Sequence, residues 1–220
     1  TFNKYHAASI IILVLFVVLA ILVSPLASNN QNIISKDTTA FLKVNDSHVN
    51  FLNKLMVWLT EYGREAFWIM TIIILFMFGG LAGKKTAIVL VLAFIVIIPI
   101  GYAAKDIVHR QHPIIPDSDF LLAQDPNEYS YPSGHATIVS AGAAIALSLF
   151  RDSKRKMAIS LVLAIEAALV CISRVYVGGH YPLDVVGGIL LGVGISFLFI
   201  GATKQVEKIT QSITRTLKRK

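Results

Sequence analysis

The feature that most limits what this chain can fold into is its set of long apolar runs, the first beginning Ser9-Ile-Ile-Ile-Leu-Val-Leu-Phe. A transmembrane helix needs about 20 mostly apolar residues to cross roughly 30 Å of hydrocarbon. Six stretches meet that requirement, near residues 8–28, 65–83, 86–105, 134–150, 157–176 and 182–203. The first is longer than the apolar region of a typical signal peptide and reads as a retained helix. A turn at Gly83-Lys84-Lys85 separates the second from the third. No apolar/polar alternation runs long enough to suggest a barrel. Of the 220 residues 55% are hydrophobic and only 15% charged, where a soluble domain carries about a quarter. One water-soluble domain and intrinsic disorder are both excluded. The expected fold is all-α and polytopic, with six transmembrane helices, residues 1–220 forming a single membrane domain.

The formal net charge of +7 would hint at nucleic acid on a soluble protein. Here the basic residues first need a membrane accounting. Placing the N-terminus, the 2–3 and 4–5 loops and the C-terminus on one side gathers thirteen Lys and Arg there, among them Lys84, Lys85, Arg151, Lys154, Arg155 and Lys156. The other side holds seven: Lys36, Lys43, Lys54, Arg64, Lys105, Arg110 and Arg174. Both termini are therefore expected in the cytoplasm. The acidic residues Asp117, Asp119, Asp125 and Glu128 then fall in an outer loop. The charge is topology, and no nucleic-acid partner is expected.

Residues 29–64 form the longest loop, expected outside. Within it Val49, Phe51, Leu52, Leu55, Met56, Leu59 and Tyr62 recur at helical spacing, which predicts an interfacial helix over 49–62. Such a helix is either a lid over a site or a plain lead into the second span, and pattern alone favours the lead. The basic segment 204–220 puts Val206, Ile209, Ile213 and Leu217 on one face, suited to anionic cytoplasmic lipids or to extending the last span. A single cysteine, Cys171, leaves no intramolecular disulfide framework.

Polar residues at the rim of a membrane bundle are costly, so clusters of them need a reason. Three clusters occur: Lys105-Asp-Ile-Val-His109-Arg110-Gln-His112-Pro113, Tyr131-Pro132-Ser133-Gly134-His135, and Ser173-Arg174 through His180 to Asp184. The topology, whose charge bias stands even with the cations of these clusters left out, puts all three on one face. Lys105 and Arg174 suit the oxygens of a phosphoryl group. Pro132-Ser133-Gly134-His135 opens a helix whose first N–H groups favour an anion. His180 and Asp184 are four apart, so in a helix the carboxylate would orient the imidazole. A histidine so held is a general base or a nucleophile, with His135 as general acid.

Ser173-Arg174-x5-His180-x3-Asp184 and Pro132-Ser133-Gly134-His135 resemble two signature motifs of the type 2 phosphatidic acid phosphatase superfamily. The resemblance covers about residues 48–200 and implies that family's helical bundle with an outward-facing site. It also implies metal-independent, cofactor-free phosphate transfer through a phosphohistidine. By that resemblance His180 would be the nucleophile and Asp184 its orienting partner. His135 would protonate the departing oxygen and then activate water. Lys105, Ser133, Gly134 and Arg174 would hold the phosphoryl group. The family suggests isoprenoid diphosphates, phosphatidic acid or phosphatidylglycerol phosphate as substrate, with the isoprenoid favoured and no protein partner expected.

One position departs from the family. Its first motif, Lys-x6-Arg-Pro, has His112 where the arginine belongs. Arg110, two residues away, is the candidate to reach in instead. A protonated His112 would make activity fall above about pH 7, since an unperturbed histidine has a pKa near 6.5. Two other outcomes are a weakly active lipid-phosphate binder and a phosphotransferase with an acceptor other than water. A zinc site from His109, His112, His135 and His180 lacks a short two-His spacing with a third ligand. Glu166, about 12 Å deeper than Arg174 on the same helix face, reads as a structural polar group inside the bundle. Cys171 reads as a packed small side chain, and Trp58, Trp68 and Tyr62 as interface anchors.

Overall fold

In hydrocarbon a backbone must satisfy its own polar groups, so apolar runs of this length become helices. The computed structural model describes residues 3–26, 30–46, 48–114, 121–122 and 128–203. Among them are eight helices and no strand: α1 (Lys4–Val23), α2 (Gln31–Asn45), α3 (Asn50–Tyr62), α4 (Glu65–Phe78), α5 (Gly80–Val108), α6 (Gly134–Leu149), α7 (Lys154–Tyr176) and α8 (Pro182–Gly201). Four of these, α1, α5, α7 and α8, are long and apolar enough to cross a membrane. The other two expected spans are the shorter apolar helices α4 and α6. The basic segment 204–220 and Asp117, Asp119 and Asp125 lie outside the described residues.

Two local expectations need correction. The α4–α5 turn falls at Gly79–Gly80, ahead of Gly83-Lys84-Lys85. Gly80 carries the sharp reversal at φ 64°, a left-handed value that costs a glycine nothing. Gly83 is already inside α5 and lies flat on the Leu75 backbone of α4, while Lys84 Nζ sits 5.6 Å from the Phe76 ring centroid. Residues 31–62 also contain two helices where one was expected. The extra helix, α2, is held by tertiary contacts: the Phe41 ring packs 5.3 Å from that of Tyr181, and Asn45 Nδ2 donates to the Val175 carbonyl at 3.0 Å.

The helix α6 is central and packs against α5, α7 and α8. Its approach to α8 is close because α8 presents glycine at the crossing. A Cβ on Gly192 would stand 2.2 Å from the Thr137 carbonyl oxygen and 2.5 Å from Ser140 Oγ. This is the small-residue contact by which membrane helices bring backbones together. Gly192→Ala is expected to push α8 off α6 at a cost of about 1–3 kcal/mol, read as a lowered melting temperature in detergent. On the far side of α8 lies α1, joined by Ser9 Oγ donating to the Gly194 carbonyl at 2.7 Å.

Candidate active site

The starts of α4, α6 and α8 and the ends of α5 and α7 meet at one end of the bundle. There they enclose a cavity of about 430 Å³. Its basic lining residues are Arg64, Lys105, His112, His135, Arg174 and His180. Apolar side chains of α4 and α5 complete the lining: Trp68, Ile69, Phe94, Ile97 and Ile98. Ile69 and Ile98 are also exposed.

Asp184 is the third residue of α8, and its Oδ2 accepts from the Tyr181 N–H at 2.9 Å, so one carboxylate caps the helix and faces the site. The same oxygen accepts from Ser130 Oγ at 2.7 Å and lies 3.7 Å from His180 Nδ1. His180 precedes the helix, so the expected helical i, i+4 geometry is replaced by a cap, yet the two side chains still face each other. Arg110 Nη1 donates to Asp184 Oδ1 and its Nη2 to Asp37 Oδ2, both at 2.6 Å. The guanidinium also lies 4.3 Å from the Tyr181 ring centroid. Asp37 in turn accepts from the Leu183 N–H at 3.0 Å. Arg110 thus faces away from the cavity, a buried clamp joining α2 to α8, and is not placed to replace the family arginine. Burial alone would lower its pKa, but the Asp184 and Asp37 carboxylates raise it overall and keep it charged.

His135 sits on the first turn of α6. Its Nε2 donates to the Thr60 carbonyl at 3.0 Å, since a carbonyl only accepts; Nδ1 therefore carries the lone pair and faces Arg64 Nη1 at 3.3 Å. Thr60 is fixed in turn: Ser173 Oγ donates to the Val170 carbonyl, so Thr60 Oγ1 donates to Ser173 Oγ at 2.8 Å. The helix α3 therefore holds His135 in place, beyond leading into α4. Its other face, Phe51, Leu55, Trp58 and Tyr62, is exposed, as an interfacial helix requires. Ser133 is fully buried, with its N–H given to the Asp184 carbonyl at 3.0 Å and its Oγ accepting from Ala136 N–H. Gly134 lines the cavity and opens α6, where the first N–H groups have no intrahelical acceptor.

Lys105, on the last turn of α5, donates to Glu128 Oε2 at 2.8 Å. His112 Nδ1 donates to the Gly179 carbonyl at 2.7 Å, and its ring centroid lies 5.0 Å from that of His180. Burial lowers the pKa of His112, with Lys105 and Arg174 adding to the effect and the Gly179 bond opposing it. His180 is lowered well below the ordinary range by burial, then by Arg174, His112 and Lys105. Both shifts favour the neutral ring, against the expectation of a protonated His112. A histidine with a depressed pKa gains its proton only on the acid side. His112→Gln is therefore expected to leave the alkaline limb of the pH–rate profile where it stands in the parent; a shift of that limb would restore a charged His112.

His109 takes the left-handed conformation that ends α5, and its ring packs 4.6 Å from that of Tyr129. Among the described residues no group of three or more His, Cys, Asp and Glu side chains is arranged to hold a metal ion. Glu166 lies off the cavity, and a Cβ on Gly63 would come within 3.0 Å of its Oε1. Cys171 is buried, whereas Trp68 lines the cavity and is not an interface anchor. Four neighbours of the site were not read from sequence: Asp37, Thr60, Arg64 as a cavity residue, and Ser130. Of these only Arg64 carried a signal, a lone cation at the head of a predicted span.

The model of the PAP2 superfamily matches residues 84–207, more than half of the chain. The chain belongs to the PAP2 superfamily. It is 41% identical to the undecaprenyl-diphosphatase of Sulfolobus acidocaldarius, over 92% of this chain and 96% of that protein. It is 30% identical to the undecaprenyl-diphosphatase BcrC of Bacillus subtilis, over 69% of this chain and 75% of that one. Among solved structures, the transmembrane PAP2-type phosphatidylglycerolphosphate phosphatase of Bacillus subtilis superposes with a TM-score of 0.73 at 25% identity, covering 90% of this chain and 96% of its own. This PAP2 protein thus shares a family and a membrane fold with lipid phosphatases.

Proposed function

We propose that this chain is a membrane phosphatase that hydrolyses a polyprenyl diphosphate to the monophosphate through a phosphohistidine. The observation that carries the reading is the mixed lining of the cavity, with cations and three histidines together with apolar side chains of α4 and α5. The former suits a phosphate headgroup and the latter the start of a lipid chain. The similarity to two undecaprenyl-diphosphatases favours the diphosphate among the family's lipids.

The neutral ring of His180 attacks the terminal phosphorus through Nε2, with Nδ1 turned to Asp184. The bond from that phosphorus to the bridging oxygen breaks, and His135, after Nδ1 has taken up a proton from solvent, gives that proton to the departing oxygen. Lys105, Arg174 and the N–H groups opening α6 hold the phosphoryl oxygens as charge spreads onto them. Water then attacks the phosphohistidine and loses its proton to His135. The phosphorus–nitrogen bond breaks and inorganic phosphate leaves. His112, neutral and bonded to Gly179, contributes one neutral ring where the family has a guanidinium. The excess of Lys and Arg on the opposite side of the bundle supports cytoplasmic termini and an outward-facing site in one membrane unit.

The test is phosphate release by the purified chain in detergent, with EDTA present. Farnesyl diphosphate would be compared with short-chain phosphatidic acid and phosphatidylglycerol phosphate. Faster release from farnesyl diphosphate is expected. A preference for either glycerolipid would transfer the assignment to that lipid, in keeping with the superposed Bacillus subtilis enzyme. No release from any of the three would leave a binder.

A further inference from the structure

The family's motifs leave Arg64 without a part, although it lines the cavity beside the candidate acid. We propose that Arg64 binds the phosphate that stays on the lipid and so makes the site selective for diphosphates over monophosphates; this rests on the diphosphate reading above. Its position follows the order of groups in such a substrate. His180 faces the phosphorus under attack, and His135 faces the bridging oxygen that leaves. In a diphosphate the next atom beyond that oxygen is the second phosphorus, and the lipid chain follows it. In contact with His135 in the cavity lining is the Arg64 guanidinium, 3.3 Å from His135 Nδ1. One turn further along α4 come Trp68 and Ile69, part of the apolar lining. From His135 through its contact Arg64 to Trp68 one turn on, the lining passes from histidine to guanidinium to apolar side chain, matching bridge, phosphate and lipid. A monophosphate ester puts its first carbon where Arg64 stands and gives a cation nothing to bind.

Three further observations support this. Gly134, at the start of α6, lies against Arg64: a Cβ there would be in ordinary contact, 3.4 Å, with Arg64 Nη1. Arg110 is held by Asp37 and Asp184, so it cannot serve. Arg64 is paired with its neighbour Glu65, whose side chain is 54% exposed and free to give way to a phosphate. A guanidinium fork matches two oxygens of a phosphate, which a lysine does not.

The test titrates methylenediphosphonate, whose P–C–P bridge cannot be cleaved, and methylphosphonate into the full chain in detergent by calorimetry. The parent is expected to bind the diphosphonate about tenfold or more tightly than the monophosphonate. Arg64→Gln is expected to bring the two within about threefold by weakening the diphosphonate alone, and Arg64→Lys to recover part of the gap. An unchanged ratio in Arg64→Gln, or equal weakening of both ligands, would overturn the proposal. The melting temperature of each variant separates lost binding from lost fold. This readout needs no turnover: a collapsed ratio in a protein that hydrolyses only glycerolipids would keep the subsite and reject the polyprenyl substrate.

Discussion

His180→Ala is expected to reduce phosphate release by about 10⁴-fold or more, with the fold intact. The basis is chemical: if His180 forms the covalent intermediate, its removal deletes the step, and a nucleophile acting as part of a unit is worth several powers of ten. The imidazole is also well prepared for attack. It is nearly inaccessible, neutral because burial and three neighbouring basic groups disfavour its protonation, and faced by the Asp184 carboxylate. The protonated ring can form only at acid pH, so the parent is expected to lose activity as pH falls while His180 stays competent above pH 7. Denaturing the enzyme during turnover of substrate labelled in its terminal phosphate should leave acid-labile label on His180 in the parent and none in the variant. Persistent turnover in His180→Ala would end the phosphohistidine reading.

Arg110→Ala is expected to cost about 3–5 kcal/mol of stability. Asp37 and Asp184 have side-chain exposures of 2% and 0%, and Arg110 is the cation between them. Truncating it strands two buried carboxylates. Adding Asp37→Asn removes one stranded charge and should recover part of the loss, a coupling that a double-mutant cycle of melting curves measures. A melting temperature for Arg110→Ala within experimental scatter of the parent would show that the clamp contributes nothing. Activity should fall along with stability, because Arg110 holds one of the two oxygens of the carboxylate facing His180.

The membrane class, the apolar helices and the three polar clusters were legible because each has a local cause. Hydrocarbon demands unbroken apolar runs, and a rim cluster such as Lys105 to Pro113 is too costly to occur without a use. The helix α2 was not legible: Lys36, Asp37, Thr38 and Thr39 form no apolar stripe, and the segment is helical because Phe41, Asn45 and Asp37 find partners on distant helices. The α4–α5 turn was misplaced because Lys84 and Lys85 look like a loop, while the backbone freedom needed for reversal sits at Gly80. Arg110 was read as a phosphate ligand because sequence shows only that it is two residues from the missing arginine. Which way its side chain turns depends on carboxylates 73 and 74 residues away. The Thr60 carbonyl, which holds His135, is a backbone atom that no motif can announce.

The clamp also orders events in time. Asp37, Arg110 and Asp184 lie in early, middle and late parts of the chain, so a growing polypeptide carries the first two long before the third is made. Until α8 enters the bundle, Arg110 lacks one of its two anions and His180 lacks the carboxylate that faces it. Competence therefore arrives in one late step, when the last helix inserts. A nascent or truncated chain that has not acquired α8 is therefore expected to be inert toward the lipid phosphates around it.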